Sequence, residues 1–505
     1  MSDARRLAAL VGALLIARVA SAFVVFQPGY TDAYYYANVA QRLAAGRGLT
    51  ADFIWNALEA TGPLPVPSHR FWMPLATVLQ AIGVKLLPFV DAFRAAQAAE
   101  IAVAILIPVV TYVVARSLGA SANARLIAAA LAGLGGAFAP GWVSLDAFAP
   151  AAVIGTAFFL CYRRAARGEV RFGALAGLAV GLLFLARAEG ALFGIALLAL
   201  VWSPGTRRAG AAGAAVALVI GLSWIARDQS LGQAPDLLGR SILLVRYEDF
   251  FAVPVASGPL AAQPESWAAF VLAMPQLVAG KVAALGTNAV TFAFAFGLLL
   301  LPGMARALWS GRSRPECRAF AGLAVLVYLV ESLVFTLHST RGSYFHSLAA
   351  FVPVGVALGV VGTGALLRTV ERARVTAVAG IAAAAIVSVF ALAQWDAAFN
   401  GPYRERVAIV DRIPPGVFMA IDAAAWRWIA GRPVVVTPAA GPDPCLIGRF
   451  DVTSIVLEPA HFSGYDALAA GGPRGDYLGV PVRAGDAQIF PVLTAAARSV
   501  CVGAR

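Results

Sequence analysis

From residue 7 to residue 394 the chain alternates long apolar stretches with short polar ones, and many stretches approach the roughly 20 residues a helix needs to cross a hydrocarbon layer. Read at helical periodicity, the pattern predicts about eleven membrane helices, over 7–26, 96–115, 126–140, 147–162, 172–186, 190–203, 209–226, 284–304, 319–338, 344–366 and 375–394. Three sizeable segments stand apart from these runs: 27–95, 227–283 and 395–505. In the first, Tyr36, Val39, Ala40 and Leu43 recur at helical spacing, which predicts an amphipathic helix along the membrane surface that Gly46 and Gly48 end. A second surface helix is expected from Phe71 to Leu87, with the Pro63 to Pro67 stretch as an extended loop between them. The last segment changes character. Val417 to Ile421, Val434 to Val436 and Ile455 to Leu457 read as buried strands, and 422–430 as a helix, so a small α/β domain is expected over 395–505.

Composition supports this division. Of 505 residues, 60% are hydrophobic and 13% charged, which excludes an ordinary water-soluble domain. Residues 1–26 share features with a signal peptide, with Arg5 and Arg6 before an apolar run and small residues at Ala20-Ser21-Ala22. The apolar run continues to Phe26, however, and further segments follow, so it reads as a first membrane helix. The net charge of +12 comes from arginines set between apolar runs rather than in a stripe, which argues against a nucleic-acid partner. With the N-terminus cytoplasmic, inside loops hold Arg116 and Arg125, then Arg163, Arg164, Arg167 and Arg171, then Arg207 and Arg208. Arg306, Arg312, Arg314 and Arg318 follow, and then Arg368, Arg372 and Arg374. The outside loops hold few basic residues, as the positive-inside rule requires.

The expectation is therefore a multi-pass protein of a bacterial inner membrane, with 1–394 as its transmembrane domain. Segments 27–95 and 227–283 form large outer loops, and 395–505 forms an extracytoplasmic domain. No G-x-G-x-x-G or P-loop follows the strands. Cys161 and Cys317 fall at cytoplasmic helix ends, whereas Cys445 and Cys501 both fall outside, where a disulfide and two separate thiols are both open readings. No internal repeat of the kind common in transporters is evident.

The most informative stretch is Tyr30-Thr31-Asp32-Ala33-Tyr34-Tyr35-Tyr36, just after the first membrane helix. It sets a carboxylate at the outer membrane boundary. The plain alternative is that Asp32 caps the surface helix. Arg187 and Glu189 fall at the outer turn Ala186-Arg187-Ala188-Glu189-Gly190, as a local ion pair or as part of a wet cavity. Asp146 opens the fourth helix, as a cap or as a cavity carboxylate. His338, Arg341, Tyr344 and His346 cluster around the turn between the ninth and tenth helices, where the histidines also suit ordinary interface roles. Arg18 and Glu331, inside spans, read as paired or snorkelling charges. Carboxylates, arginines and aromatics converging at one membrane face suit a lipid phosphate that carries a sugar, because the guanidinium fork matches phosphate oxygens. A single carboxylate suffices to take the proton of an attacking hydroxyl, since a phosphate leaves without help.

These residues give the sequence its resemblance to the GT-C superfamily, in the branch with the protein O-mannosyltransferases and the aminoarabinose transferases. The resemblance rests on Asp32-Ala33-Tyr34-Tyr35 after the first helix, with Ala45-Gly46-Arg47-Gly48-Leu49 closing the surface helix. It rests also on Arg187-Ala188-Glu189-Gly190, on Arg341-Gly342-Ser343-Tyr344 with Pro353 beyond, and on the outside domain at the end. It implies a polytopic α-helical GT-C-like fold and transfer of a sugar from a polyprenyl-phosphate donor to a glycan, lipid or protein acceptor, with inversion. It casts Asp32 as base, Arg341 as the phosphate ligand, and Arg70 in Ser68-His69-Arg70-Phe71-Trp72 as a second candidate, with Arg187 beside them. Tyr34, Tyr35, Asp146, Glu189, His338, Tyr344 and His346 would line the cavity. Family members often carry a second acid after the base, where this chain has Ala33, which sets it apart from the protein-mannosylating branch. Some branches hold a divalent metal through two outer-loop acids, here Asp32 and Asp146; the expectation is no metal and no other cofactor. Two other classes compete: a transporter or lipid flippase, which would place its charges near mid-membrane, and a non-catalytic scaffold whose outside domain binds a partner.

Overall fold

The computed structural model describes residues 2–60, 62–232, 246–251, 267–367 and 369–503. Most of the expected outer loop between the seventh and eighth helices, and Arg368, lie outside these residues. The chain divides into two compact units, one of Met1–Pro28, Trp72–Gly232 and Lys281–Ala397, the other of Gly29–Phe71, Gln233–Gly280 and Ala398–Arg505.

The first unit is helical. Among the described residues, six helices are long and apolar enough to cross a membrane: Asp3–Val24, Ala92–Ser117, Arg207–Ser230, Met274–Phe296, Thr336–Leu366 and Glu371–Arg412. Shorter helices at Ala122–Leu134, Phe148–Ala165, Val170–Ala186, Gly194–Val201 and Pro315–Leu333 occupy other expected spans. The expected span 284–304 is broken. Its helix stops at Phe296, Gly297 takes a left-handed φ of 74°, and a new helix starts at Leu301; a residue without a Cβ tolerates that backbone. The second predicted surface helix forms as Leu75–Leu86.

Small residues set close helix contacts. A Cβ added to Gly173 would lie 2.1 Å from the Ala209 carbonyl oxygen, and one added to Gly177 would lie 2.0 Å from that of Gly213. The helices Val170–Ala186 and Arg207–Ser230 therefore cross backbone against backbone, as small-xxx-small stripes allow within membranes. Among the described residues Arg18 pairs with no acid, and it does not snorkel. It is buried, and it donates to the carbonyls of Gly133, Leu134 (2.8 Å) and Ala139 (3.3 Å). It thereby satisfies acceptors that the end of the helix Ala122–Leu134 leaves open.

In the second unit the α/β expectation is met with one addition. The six-stranded sheet runs Phe53–Ile54, Val434–Val436, Val417–Ala420, Val452–Leu457, Ala487–Pro491, Val482–Ala484. The edge strand Phe53–Ile54 comes from the first outer loop and pairs parallel with Val434 and Val435. The domain that begins on the sequence near 395 thus completes its sheet with residues from the chain's first hundred. Cys445 and Cys501 form a disulfide, which joins the helices Pro444–Phe450 and Thr494–Gly503.

The helix Thr31–Ala44 is not a surface helix with one wet face. Tyr34, Tyr35, Tyr36, Ala37, Asn38, Val39 and Ala40 are all buried. The apolar spacing is as expected, but the tyrosines fill the remaining faces as well. Gly46 and Gly48 follow its end with φ of 75° and 69°.

Candidate active site

Three segments of the first unit bring charge together. Asp146 lies just before Ala147, the N-cap of the helix Phe148–Ala165, Arg187 ends the helix Val170–Ala186, and a wide turn at Ser339–Ser343 leads into the helix Tyr344–Leu348. That turn is opened by Gly342, with φ of 120°.

Arg187 is the hub. Its Nε donates to Glu189, its Nη2 donates to Ser343 Oγ at 3.0 Å, and its Nη1 lies 3.1 Å from His346 Nδ1. The same imidazole nitrogen lies 3.2 Å from Asp146 Oδ2. In one tautomer its lone pair accepts from Arg187, and in the other its proton goes to Asp146. Ser347 Oγ bridges two carboxylates, Glu189 at 2.6 Å and Glu331 at 2.9 Å, and Ser343 Oγ reaches Glu331 at 3.3 Å. Asp146 Oδ1 accepts the Ala147 N–H at 2.5 Å, so this carboxylate both restrains the helix entry and orients His346. Four of the expected residues, Asp146, Arg187, Glu189 and His346, thus form one network. Asp146 and His346 supply an oxygen and a nitrogen suited to a divalent cation, although the Arg187 guanidinium on that nitrogen would repel one.

Each of the three Arg187 nitrogens has a protein partner. The small cavity lined by Arg187, Glu189, His346 and Ser347 has a volume of about 20 Å3. That holds about one water, not a sugar. Arg341 sits in the wide turn with its side chain exposed. His338 lies in the preceding helical turn, half-buried. Tyr344 is fully buried, with its ring 5.9 Å from that of Tyr328 and a hydroxyl that has no hydrogen-bond partner among the described residues.

The other candidates belong to the second unit. Asp32 lies in the first turn of the helix Thr31–Ala44, whose N-cap residue is Tyr30. An acid at that position still gains from the helix dipole. Tyr34 packs against Trp428, and burial, then the Asp422 carboxylate, pushes its phenol well above the usual range. Tyr35 is fully buried, with its hydroxyl accepting from the His69 N–H at 2.6 Å. Both tyrosines are core residues of this unit. Arg70 is half-buried and follows His69, whose φ is 62°.

Glu331, read from the sequence as a paired or snorkelling charge inside a span, is bonded by both serines, whereas Ser343 and Ser347 complete the network but carry little sequence signal of their own. The i, i+4 spacing of the two serines within a histidine- and tyrosine-bearing turn is the only hint.

No protein-family model matches the chain, and no curated protein matches it. Solved structures do. ArnT from Cupriavidus metallidurans in the apo state aligns with a TM-score of 0.57 at 14% identity, over 97% of this chain and 98% of that one. The chain has the GT-C fold. The GT-C likeness extends to the same ArnT bound to undecaprenyl phosphate, with a TM-score of 0.56 over 97% of this chain and 98% of that chain at 14% identity. It extends also to the archaeal oligosaccharyltransferase AglB from Archaeoglobus fulgidus, in complex with an inhibitory peptide and a dolichol-phosphate. There the TM-score is 0.54 at 14% identity, over 88% of this chain and 69% of that one. Its apolar helices and this shared fold make the chain a multi-pass membrane protein.

Proposed function

We propose that the protein is a glycosyltransferase of the inner membrane that moves a sugar from a polyprenyl-phosphate carrier to an acceptor hydroxyl on the extracytoplasmic side. The observation that carries this reading is the GT-C fold over nearly the whole chain, shared with ArnT bound to undecaprenyl phosphate and with AglB bound to a dolichol-phosphate. Both ligands are polyprenyl phosphates.

In this reading the acceptor oxygen attacks the anomeric carbon, the bond from that carbon to the phosphate oxygen breaks, and the polyprenyl phosphate leaves with the bonding pair. Asp32 takes the hydroxyl proton, with a contribution on the order of 100- to 10,000-fold in rate. One displacement inverts the anomeric centre. Arg341, exposed in its wide turn, holds the phosphate, with Arg70 as a second ligand. Arg187, His346 and Asp146 keep that turn in shape. No metal is required by this scheme. The N-terminus is cytoplasmic, and the sheet-bearing unit lies outside.

The experiment is a transfer assay with the purified protein in vesicles that contain labelled undecaprenyl-phosphate sugars and a panel of glycan, lipid and peptide acceptors. Transferase action releases undecaprenyl phosphate in step with a glycosylated acceptor whose anomeric configuration is inverted. A flippase would move the labelled lipid between leaflets with no release, and that result would replace the proposal.

A further inference from the structure

Among the described residues, two that are not glycine have a left-handed backbone: Asp451, with φ of 54°, and His69, with φ of 62°. Asp451 is the C-cap of the helix Pro444–Phe450, an ordinary place for that backbone. His69 ends no helix. Histidine adopts this conformation more readily than most side chains, yet it still costs free energy and persists only where the surroundings impose it. Strained residues of this kind gather at binding sites.

The helix that carries Asp32 supplies the restraint. His69 is fully buried, and its N–H donates to Tyr35 Oη at 2.6 Å. Its ring stacks on that of Tyr36, with centroids 6.1 Å and planes 12° apart, and meets the Tyr35 ring edge-on at 5.3 Å. On the chain before it, the Ser68 N–H donates to the Leu49 carbonyl at 3.0 Å. On the far side of Arg70, the Phe71 ring packs against Trp55 at 5.4 Å. The backbone at Arg70 is thus held from both sides, and the left-handed turn at His69 sets the direction in which Arg70 leaves it. Tyr35 and Tyr36 stand three and four residues after Asp32 in the helix Thr31–Ala44, the spacing that puts side chains on one helix face. The anchor for Arg70 and the carboxylate of Asp32 therefore share a face of one helix.

We infer that His69 is a positioning residue for the lipid phosphate: it ties Arg70 to the helix of Asp32, so that phosphate ligand and base keep a fixed spacing. This rests on the reading of Arg70 as a phosphate ligand. His69 does not touch the donor; it acts through the backbone of the residue that follows it.

The test measures the Kd of undecaprenyl phosphate and the melting temperature for Tyr35→Phe, His69→Ala, His69→Asn and Arg70→Ala in the full-length protein. Binding is read well below the melting transition. Loss of one charge-assisted hydrogen bond to phosphate weakens binding on the order of 10- to 100-fold, which is the result expected for Arg70→Ala. Tyr35→Phe keeps the ring and removes only the oxygen that the His69 N–H uses, and a loss of about 10-fold is expected. His69→Ala loses the ring stack and suits the left-handed backbone poorly, so it should approach the Arg70→Ala loss. Asparagine accepts that backbone, and His69→Asn should bind more tightly than His69→Ala. In the Arg70→Ala background, neither Tyr35→Phe nor His69→Ala should weaken binding further, because both act through Arg70. Should His69→Ala fail to fold, Tyr35→Phe and its combination with Arg70→Ala carry the decision. A lowered melting temperature with wild-type Kd in Tyr35→Phe, or full additivity with Arg70→Ala, overturns the positioning role and leaves Arg70 as a phosphate ligand. Wild-type Kd in Arg70→Ala overturns both.

Discussion

Replacing Arg187 by Ala removes the partner of a largely buried carboxylate: the side chains of Arg187 and Glu189 are 14% and 15% exposed. Glu189 then keeps the Ser347 hydroxyl but loses the guanidinium, and His346 and Ser343 lose a donor. Leaving one member of a buried pair uncompensated costs about 3–5 kcal/mol. With both groups slightly exposed, the lower end applies, about 3 kcal/mol, which is roughly a hundredfold in an unfolding equilibrium at 1.36 kcal/mol per decade. Neutralising the stranded carboxylate removes most of that cost. The double variant Arg187→Ala/Glu189→Gln should therefore be clearly more stable than Arg187→Ala, and a double-mutant cycle isolates the coupling. Reversible unfolding in detergent, followed by denaturant titration, measures it. If Glu189→Gln adds its own destabilisation to that of Arg187→Ala with no coupling, Arg187 is not compensating Glu189 and the network does not work as described.

Other outcomes follow from single contacts. Gly177→Ala would bring a Cβ to 2.0 Å from the Gly213 oxygen, where ordinary contact begins at 3.4 Å. The two helices must part, at a cost of about 1–3 kcal/mol, and a lowered midpoint in the same unfolding assay checks it. Burial alone would raise the pKa of Asp52, but the Arg427 hydrogen bonds and the charges of Arg427 and Arg42 outweigh it and lower the value. A carboxylate depressed in the folded state stabilises above its unfolded pKa of about 3.9 and loses that contribution as pH falls through the folded value. Unfolding midpoints of the wild type should thus drop more steeply below about pH 4 than those of Asp52→Asn.

The membrane helices were legible because apolar runs of helical period need no long-range information. The break at Gly297 was not, since a single glycine inside an apolar run leaves the run's hydropathy unchanged. Within the site, Asp146, Arg187, Glu189 and His346 stood out as charged or titratable groups at the ends of apolar helices, where burial without a partner is costly. Their serine partners did not, because a serine in a membrane helix commonly bonds its own backbone, as Ser388 does here with the Ala384 carbonyl. Least legible was the union of the first outer loop with the C-terminal sheet. The strand Phe53–Ile54 has two residues, too few for any alternation to register, and the Arg427–Asp52 pair joins positions 375 residues apart. The surface-helix expectation for Thr31–Ala44 failed for the same reason: one apolar stripe was visible, but the tertiary partners that bury the other faces were not.

In the proposed reaction Asp32 is the carboxylate base of a transferase that uses a polyprenyl-phosphate sugar. Asp32→Asn keeps the shape and the hydrogen-bonding oxygen while removing the basicity, so single-turnover transfer with donor pre-bound reads the chemical step alone. A loss of about 100- to 10,000-fold in that rate, with donor affinity within a fewfold of wild type, is the predicted result. Transfer by Asp32→Asn at the wild-type rate would contradict it.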